Sequence, residues 1–120
     1  MKPRRHAWTV RLADAAAVDF AGILRWTTEQ FGESQARLYE TTLSLALDAL
    51  TAGPKVAGAK ARKDLQLGLY SLHVARNRRR GRHVILFRFD PARESTVEVL
   101  RLFHDSMDFT RHLPDSKGRD

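Results

Sequence analysis

Apolar and polar side chains alternate over short stretches near the start of the chain and through its second half. Such alternation is typical of β-strands that bury one face, and it predicts strands over residues 8–13, 69–76, 83–89 and 96–103. Residues 83–89 are almost continuously apolar, which favours a central strand. The connections between the last three strands are short, so we expect these strands to pair antiparallel.

Between the first strand and the others, apolar positions recur at intervals of three and four in two successive segments. Asp14 is the expected N-cap of a first helix, and Gly32 its C-cap. Ser34 is the expected N-cap of a second helix, which ends at Gly53-Pro54. Because few residues join them, the two helices are predicted to pack as an antiparallel hairpin. Residues 104–113 predict a short helical turn.

These elements predict a single α+β domain over residues 1–120, in the order β-α-α-β-β-β. An N-terminal strand leads into the helical hairpin, which packs on one face of a small, mainly antiparallel sheet. A short C-terminal helical turn follows, and residues 1–7 and 114–120 are expected to be flexible tails. Hydrophobic residues make up 42% of the chain and charged residues 29%, which fits a globular domain and not a disordered chain.

Several classes of protein are disfavoured by what the sequence lacks. No apolar run approaches the roughly 18 residues of a membrane-spanning helix. The basic N-terminus is not followed by the apolar region of a signal peptide. The sequence contains no cysteine, which excludes disulfides and thiolate metal sites. We therefore expect a cytoplasmic protein with no membrane association, no metal and no cofactor.

The net charge of +7 is concentrated in one segment. Residues 55–82 carry nine Lys or Arg side chains and one Asp, whereas residues 14–54 carry six acidic and two basic side chains. Concentrated positive charge attracts nucleic acid or an acidic protein surface, and the attraction weakens with salt. The alternative interpretation is a solvated loop that only keeps the protein soluble.

Six short segments follow one another in a distinctive order and spacing. They are the Ile-to-Phe-Gly run at 23–32, Ala36 with Tyr39, the Leu-x-x-x-Pro close at 50–54, the strands at 69–74 and 84–88, and the C-terminal residues 102–104 with Asp108 and 111–113. Together they resemble the ParE branch of the RelE/ParE superfamily of toxins from type II toxin–antitoxin systems. The resemblance extends over residues 9–113.

This resemblance implies a toxin that a cognate antitoxin holds inert and that inhibits DNA gyrase when it is freed. It implies action by binding and not by turnover, and no catalytic residue is carried over from the family. The antitoxin is expected to be small and acidic, with a ParD-like ribbon-helix-helix N-terminus. Through that N-terminus the complex would reach operator DNA indirectly.

Two alternatives stay open. The first is a ribosome-dependent mRNA endoribonuclease, as in the RelE branch, which has basic residues on its sheet. Here the segment after the last strand is acidic, and Arg111 or His112 fills the terminal tyrosine position. The second is a non-toxic protein of this fold that serves only as co-repressor of its operon.

The chain also departs from the ParE pattern at two places. Phe87 stands where the ParE pattern commonly has Tyr, and the loop around Arg78 and Arg80 is longer and more basic than usual.

Residues that could carry out RNA cleavage lie on neighbouring predicted strands. Metal-free cleavage needs a base, a cation near the phosphate and an acid, and the candidates are His73, His83, Arg76, Arg88 and Arg101. Strand register is not readable from sequence, so ordinary surface roles are the favoured interpretation. His73, His83 and His104 could bind a metal if adjacent strands bring them together, but no helical His/Glu pair and no cysteine supports that hypothesis.

The candidate target-binding residues belong to the arginine-rich loop and the segment after the last strand. They are Arg76, Arg78, Arg79, Arg80, Arg82, His104 and Asp108. Arginine is a planar, permanently charged donor suited to phosphate or carboxylate. We expect that replacing Arg78, Arg79 and Arg80 weakens toxicity without unfolding the protein. His104 is expected to bond Asp108 or the backbone.

Large apolar residues on the helical stripes are predicted to form the core, namely Phe20, Ile23, Phe31, Tyr39 and Leu43. Large apolar residues away from these stripes remain available to a partner. The candidates for antitoxin contact are Trp8, Trp26, Leu38, Leu45 and Phe103. An antitoxin segment that folds on binding would cover them with a helix or a strand.

Overall fold

The computed structural model describes residues 7–107. In chain order its elements are β1 (Thr9–Leu12), α1 (Asp14–Phe31), α2 (Glu33–Ala49), a 3-10 helix (Leu50–Lys55), β2 (Lys60–Ala61), β3 (Tyr70–His73), β4 (His83–Phe89) and β5 (Thr96–His104). The predicted α+β class is confirmed. Most of the predicted tails and of the helical turn at 104–113 lies outside the described residues. Within them, residue 104 ends β5 and a turn follows.

The five strands form one sheet in the order β1-β5-β4-β3-β2. β1 runs parallel to β5, and the other three pairs are antiparallel. The sheet is therefore mainly antiparallel, as predicted. The register of β4 against β5 shifts between Leu86 and Phe87, and such a bulge bends the strand and increases its twist.

The predicted C-cap of α1, Gly32, is confirmed, whereas the two predicted N-caps are wrong, by one residue for Asp14 and by two for Ser34. The N-cap of α1 is Ala13, and Asp14 is the first helical residue, where its negative charge still favours the positive end of the helix. Gly32 ends α1 and also serves as N-cap of α2, which begins at Glu33. Ser34 therefore lies inside the first turn of α2 and does not cap it.

Two features of the sheet differ from the prediction. β2 was not predicted, because two residues offer no alternation to read. It exists through the pairing of Lys60 with Ser71 and of Ala61 with Tyr70. β3 ends at His73 and not at residue 76, because the chain then turns and the N–H of Arg76 donates to the carbonyl of Val74.

Apolar side chains cover both faces of the sheet. The larger cluster lies between the sheet and the helices, and it includes Leu43, Leu50, Leu72, Ile85, Phe87, Val97 and Val99. The smaller cluster lies on the opposite face and consists of Leu69, Val84, Leu86 and Phe103, with Leu65 and Leu100 packed against it. Each fully buried large side chain contributes about 1.5–3 kcal/mol to folding. Within residues 7–107, no helix combines the length and apolar character needed to span a membrane.

Trp8 and Gly53 fix the start of β1 against the end of the helical hairpin. The N–H of Trp8 donates to the carbonyl of Thr51 at 2.9 Å, and its ring meets Phe89 edge to face at 5.4 Å. A Cβ on Gly53 would lie 2.5 Å from the Trp8 ring, and Gly53 also has a positive φ of 62°. Trp8 is therefore part of the packing of the fold.

Candidate functional site

The arginine-rich segment forms a tight turn between β3 and β4. Asn77 and Arg78 both have left-handed backbones, with φ of 53° and 67°. The N–H of Arg79 donates to the carbonyl of Arg76 at 3.0 Å, so the four residues form a turn of the type I′ class. Glycine is the favoured residue at the second left-handed position. An arginine there costs about 1–2 kcal/mol.

Arg79 anchors this turn to α2. Its Nε donates to the Thr42 hydroxyl at 2.9 Å, and its Nη2 donates to the carbonyl of Leu38 at 3.2 Å. Thr42 is buried. Replacing Arg79 would therefore remove two contacts that position the turn, in addition to a positive charge. Arg79 thus differs from Arg78 and Arg80, which were predicted with it as target-binding residues, because it also contacts α2.

Two further arginines of the segment have partners within the fold. Arg76 donates to the carbonyl of Ala57 at 3.1 Å. Arg82 forms an ion pair with Asp105 at 3.1 Å. The hydrogen bonds from Arg82 and then from His73 lower the pKa of Asp105 to about 2, so this carboxylate is ionised at neutral pH.

Arg78 and Arg80 differ from their neighbours. Both are exposed, and neither has an acidic side chain within salt-bridge distance among residues 7–107. Their positive charges therefore face solvent from a turn that the other arginines hold in place.

Tyr39 and His83 join the base of the turn to α2. The Tyr39 hydroxyl accepts the N–H of Arg82 at 3.1 Å and lies 2.7 Å from Nδ1 of His83. Burial, followed by the nearby charge of His104, lowers the pKa of His83 to about 4. His83 is therefore neutral at physiological pH, and its Nδ1 shares a hydrogen bond with the Tyr39 hydroxyl. Burial also raises the pKa of Tyr39.

His73 lies on the opposite face of the sheet, opposite Val84 in the pairing of β3 with β4. Its Nδ1 accepts the N–H of Ala75 at 3.0 Å, and its Nε2 lies 3.0 Å from Oδ2 of Asp105. Because Nδ1 is an acceptor, Nε2 carries the hydrogen and donates it to Asp105. Both ring nitrogens are thus engaged, and neither faces a substrate as a free base.

The remaining candidates for RNA cleavage also have partners. Arg88 pairs with Glu98 at 2.8 Å. Arg101 reaches Asp19 of α1 at 2.7 Å. The five candidates are therefore not gathered around one point, since His73 and His83 lie on opposite faces of the sheet and the three arginines contact three different parts of the chain. In the described part of the chain, no group of three His, Cys, Asp or Glu residues could hold a metal.

A groove of about 940 Å³ runs between the tip of the helical hairpin and the arginine-rich turn. Its apolar wall is formed by Trp26, Phe31 and Leu38, whose exposed fractions are 55%, 63% and 57%. Trp26 and Phe31 contact each other edge to face at 5.7 Å. The opposite wall includes Arg78 and Arg80. We call this feature the hairpin groove.

The hairpin groove contains residues predicted separately for the antitoxin and for the target. Trp26 and Leu38 were antitoxin candidates, and both line the groove. So do five of the target candidates, namely Arg78, Arg79, Arg80, Arg82 and His104, whereas Arg76 lies outside it. His104 bonds Ser106 at 2.7 Å. Asp108, its predicted partner, lies outside the described residues.

Three predicted apolar contact residues lie elsewhere. Trp8 is partly buried against the core. Phe103 is 1% exposed, so its predicted place on the surface is wrong, because its side chain belongs to the smaller apolar cluster. Leu45 is exposed but lines a separate depression with Arg76 and Arg79. Phe31 was predicted to be core and is instead exposed, at the last residue of α1.

Residues 10–109 match the family model described as "ParE toxin of type II toxin-antitoxin system, parDE". The chain belongs to this ParE toxin family, as the sequence resemblance indicated.

Two solved structures have the same fold. One is described as the chromosomal ParDE toxin–antitoxin system from P. aeruginosa, at 17% identity and a TM-score of 0.64, with 82% of this chain and 97% of that chain covered. The other is the toxin–antitoxin complex RelBE2 from Mycobacterium tuberculosis, at 23% identity and a TM-score of 0.55, with 82% and 98% covered. A search of curated proteins gave no match.

Proposed function

We propose that this ParE-family toxin inhibits DNA gyrase by binding it, and that a cognate antitoxin neutralises it. The antitoxin is a small acidic protein with a ParD-like ribbon-helix-helix N-terminus, which carries the complex to operator DNA. Action by binding is supported by the difference between the basic residues that have partners in the fold and those that are exposed. The candidates for RNA cleavage are separated and engaged, whereas Arg78 and Arg80 are exposed and unpaired by any acidic side chain of the described chain.

Separation of the cleavage candidates argues against a nuclease on chemical grounds. Metal-free RNA cleavage requires an acid, a base and a cation within reach of one phosphate. His73 already uses both ring nitrogens, and His83 is neutral and bonded to Tyr39 on the other face. Bringing these groups together would require the sheet to rearrange. A toxin that only binds has no such requirement.

Binding to a large acidic assembly needs accessible positive charge on a fixed support. Arg78 and Arg80 supply the charge, and the contacts of Arg79 with α2 supply the support. Fixed donors lose less conformational entropy on binding than flexible ones. We therefore assign Arg78 and Arg80 as target-binding residues, with Arg79 as the residue that positions them.

The experiment measures supercoiling by purified gyrase and cleavage of messenger RNA on translating ribosomes, both with the purified chain. We expect inhibition of supercoiling and intact messenger RNA. The Arg78→Glu/Arg80→Glu variant should inhibit at least about tenfold less, since loss of two charge-assisted contacts reaches this magnitude. The matched control is Lys63→Glu/Arg93→Glu, which makes the same change in net charge at two other exposed residues.

The alternatives give different results. Messenger RNA cleavage by the wild-type chain, with unchanged supercoiling, would identify a ribosome-dependent endoribonuclease. Neither effect, together with antitoxin-dependent binding to operator DNA, would identify a co-repressor. Equal loss of inhibition in the control variant would mean that net charge, and not the arginine-rich turn, accounts for target binding.

A further inference from the structure

Arg82 ends the arginine-rich turn and is bonded by two different parts of the chain. Its N–H donates to the Tyr39 hydroxyl of α2 at 3.1 Å. Its carbonyl accepts the N–H of Asp105 at 2.7 Å. Its guanidinium also donates to both carboxylate oxygens of Asp105, at distances of 3.1 Å and 3.2 Å. Asp105 therefore bonds Arg82 through its main chain and through its side chain.

Asp105 also reaches the strand that leads into the turn. Its Oδ2 lies 3.0 Å from Nε2 of His73, the last residue of β3. The other ring nitrogen of His73 accepts the N–H of Ala75 at 3.0 Å, which fixes the imidazole. Hydrogen bonds to an ionised carboxylate are short and strong. Asp105 therefore ties both arms of the turn to the segment that follows β5.

Arg80 lies between two anchored residues of this turn. Arg79 bonds α2 before it, and Arg82 is held after it. Two fixed neighbours leave the backbone of Arg80 few alternative positions, so its exposed guanidinium starts from a defined place. Arg78 lies on the other side of Arg79 in the chain, so its position depends less on Arg82. Loss of Asp105 should therefore displace Arg80 more than Arg78.

We propose that Asp105 is a positioning residue for target binding, which fixes Arg80 by holding Arg82. Target binding by Arg80 is part of the proposed function, on which this inference rests. Asp105 is ionised at neutral pH, so its removal makes the toxin more positive. Charge alone then predicts stronger binding to an acidic target, whereas loss of position predicts weaker binding. The sign of the effect separates these two explanations.

The first test measures supercoiling by purified gyrase with variants of the full chain. Asp105→Ala should inhibit about fivefold less than the wild type, as expected when a charge-assisted contact is misplaced. The matched control is Asp64→Ala, which removes a carboxylate paired with Arg62 at 2.7 Å and makes the same change in net charge. It should inhibit within about twofold of the wild type. Wild-type or stronger inhibition by Asp105→Ala would overturn the inference, as would an equal loss in Asp64→Ala.

A double-mutant cycle tests which arginine Asp105 positions. In an Arg80→Gln background, Asp105→Ala should lower inhibition by less than about twofold, because the side chain that it positions is gone. In an Arg78→Gln background, the loss should stay at about fivefold. Equal losses in the two backgrounds would refute the assignment to Arg80.

Amide hydrogen exchange, measured by NMR on the free chain, reports on the turn without gyrase. Asp105→Ala should speed exchange at the N–H groups of Arg79 and Arg82 at least about fivefold, because both belong to the loosened turn. Amides within α2 should be unchanged, since exposed ion pairs contribute little to global stability. If exchange rises throughout the chain, Asp105→Asn replaces this variant in both tests. The amide keeps the shape and one acceptor oxygen, so a smaller loss in the same direction is expected.

Failure of the inference and failure of the proposed function give different results. If the wild-type chain does not inhibit supercoiling, the proposed function fails, while faster exchange in the variant still supports Asp105 as the residue that fixes the turn. Weaker inhibition with unchanged exchange would mean that Asp105 contacts the target itself, which contradicts a positioning role.

Discussion

The buried imidazole of His83 should make the stability of the fold depend on pH within a narrow window. Nδ1 of His83 lies 2.7 Å from the Tyr39 hydroxyl, part-buried under α2. Burial is the main cause that lowers its pKa from 6.5 to about 4, with a smaller contribution from the charge of His104. The charges of His73 and Arg82 act in the same direction, and Asp105 opposes them. The folded state therefore keeps His83 neutral.

The sign of the effect follows from proton binding. Between pH 6.5 and 4, His83 binds a proton in the unfolded chain but not in the folded chain, so unfolding takes up protons and stability falls as pH falls. One pKa unit corresponds to about 1.4 kcal/mol. Over the whole window, the change in the free energy of unfolding is therefore as much as about 3 kcal/mol. This stability is present above pH 6.5 and lost by pH 4. That is a large share of the roughly 5–15 kcal/mol typical of a domain.

Urea unfolding of the wild type and of His83→Gln across this window measures the effect. Glutamine retains a polar group near Tyr39 but does not titrate. The difference in free energy of unfolding between the two proteins should shrink by about 2–3 kcal/mol as pH falls from 6.5 to 4. Asp105 does not interfere, because its pKa is lowered to about 2 and its contribution is lost at lower pH. Parallel pH profiles for the two proteins would refute a buried neutral His83.

Three further substitutions test the packing. Gly53→Ala should destabilise the fold by about 2–4 kcal/mol, because the new Cβ would meet the Trp8 ring and the backbone is left-handed. Thermal unfolding measures this loss. A wild-type melting temperature would contradict the packing of Trp8. Arg78→Gly should stabilise the fold by about 1 kcal/mol, because the backbone of this residue is left-handed, yet it should weaken gyrase inhibition. A variant that is less stable in urea titration would show that the Arg78 side chain supports the turn. Asp19→Asn should lower the free energy of unfolding by about 1–3 kcal/mol, because Asp19 accepts two hydrogen bonds from Arg101. A decrease below about 0.5 kcal/mol would mean that this pair is screened like a surface ion pair.

The fold was predictable because its long elements have strong periodic patterns. The two helices and the strands β4 and β5 were placed within a few residues from apolar spacing alone. β2 was not predictable, since its two residues carry no pattern and are held by pairing with β3. The end of β3 was also misplaced, because the apolar pattern continues through Val74 although the chain already turns there, with the N–H of Arg76 donating to the carbonyl of Val74.

The candidate site was predictable in its residue types but not in their roles. Phe31 continues the apolar stripe of α1, so periodicity assigns it to the core, although its side chain is 63% exposed in the structure. Phe103 was assigned to the surface because alternation does not show that the second face of the sheet is covered. Arg79 and Arg80 are adjacent and chemically identical, yet only Arg79 has Thr42 within reach. These distinctions depend on tertiary neighbours.

Some arginines stabilise the fold and others are left exposed for a partner. Arg62, Arg76, Arg79 and Arg82 each bond an oxygen of the fold, so their charges are partly compensated in the free toxin. Within residues 7–107, Arg78 and Arg80 have no acidic partner. They belong to the turn that Arg79 fixes, and Arg78 has a left-handed backbone that is unfavourable for a residue with a side chain. We expect a carboxylate or phosphate of a partner that meets the Arg78 guanidinium to offset this strain, so that the turn is more stable in the complex than in the free protein.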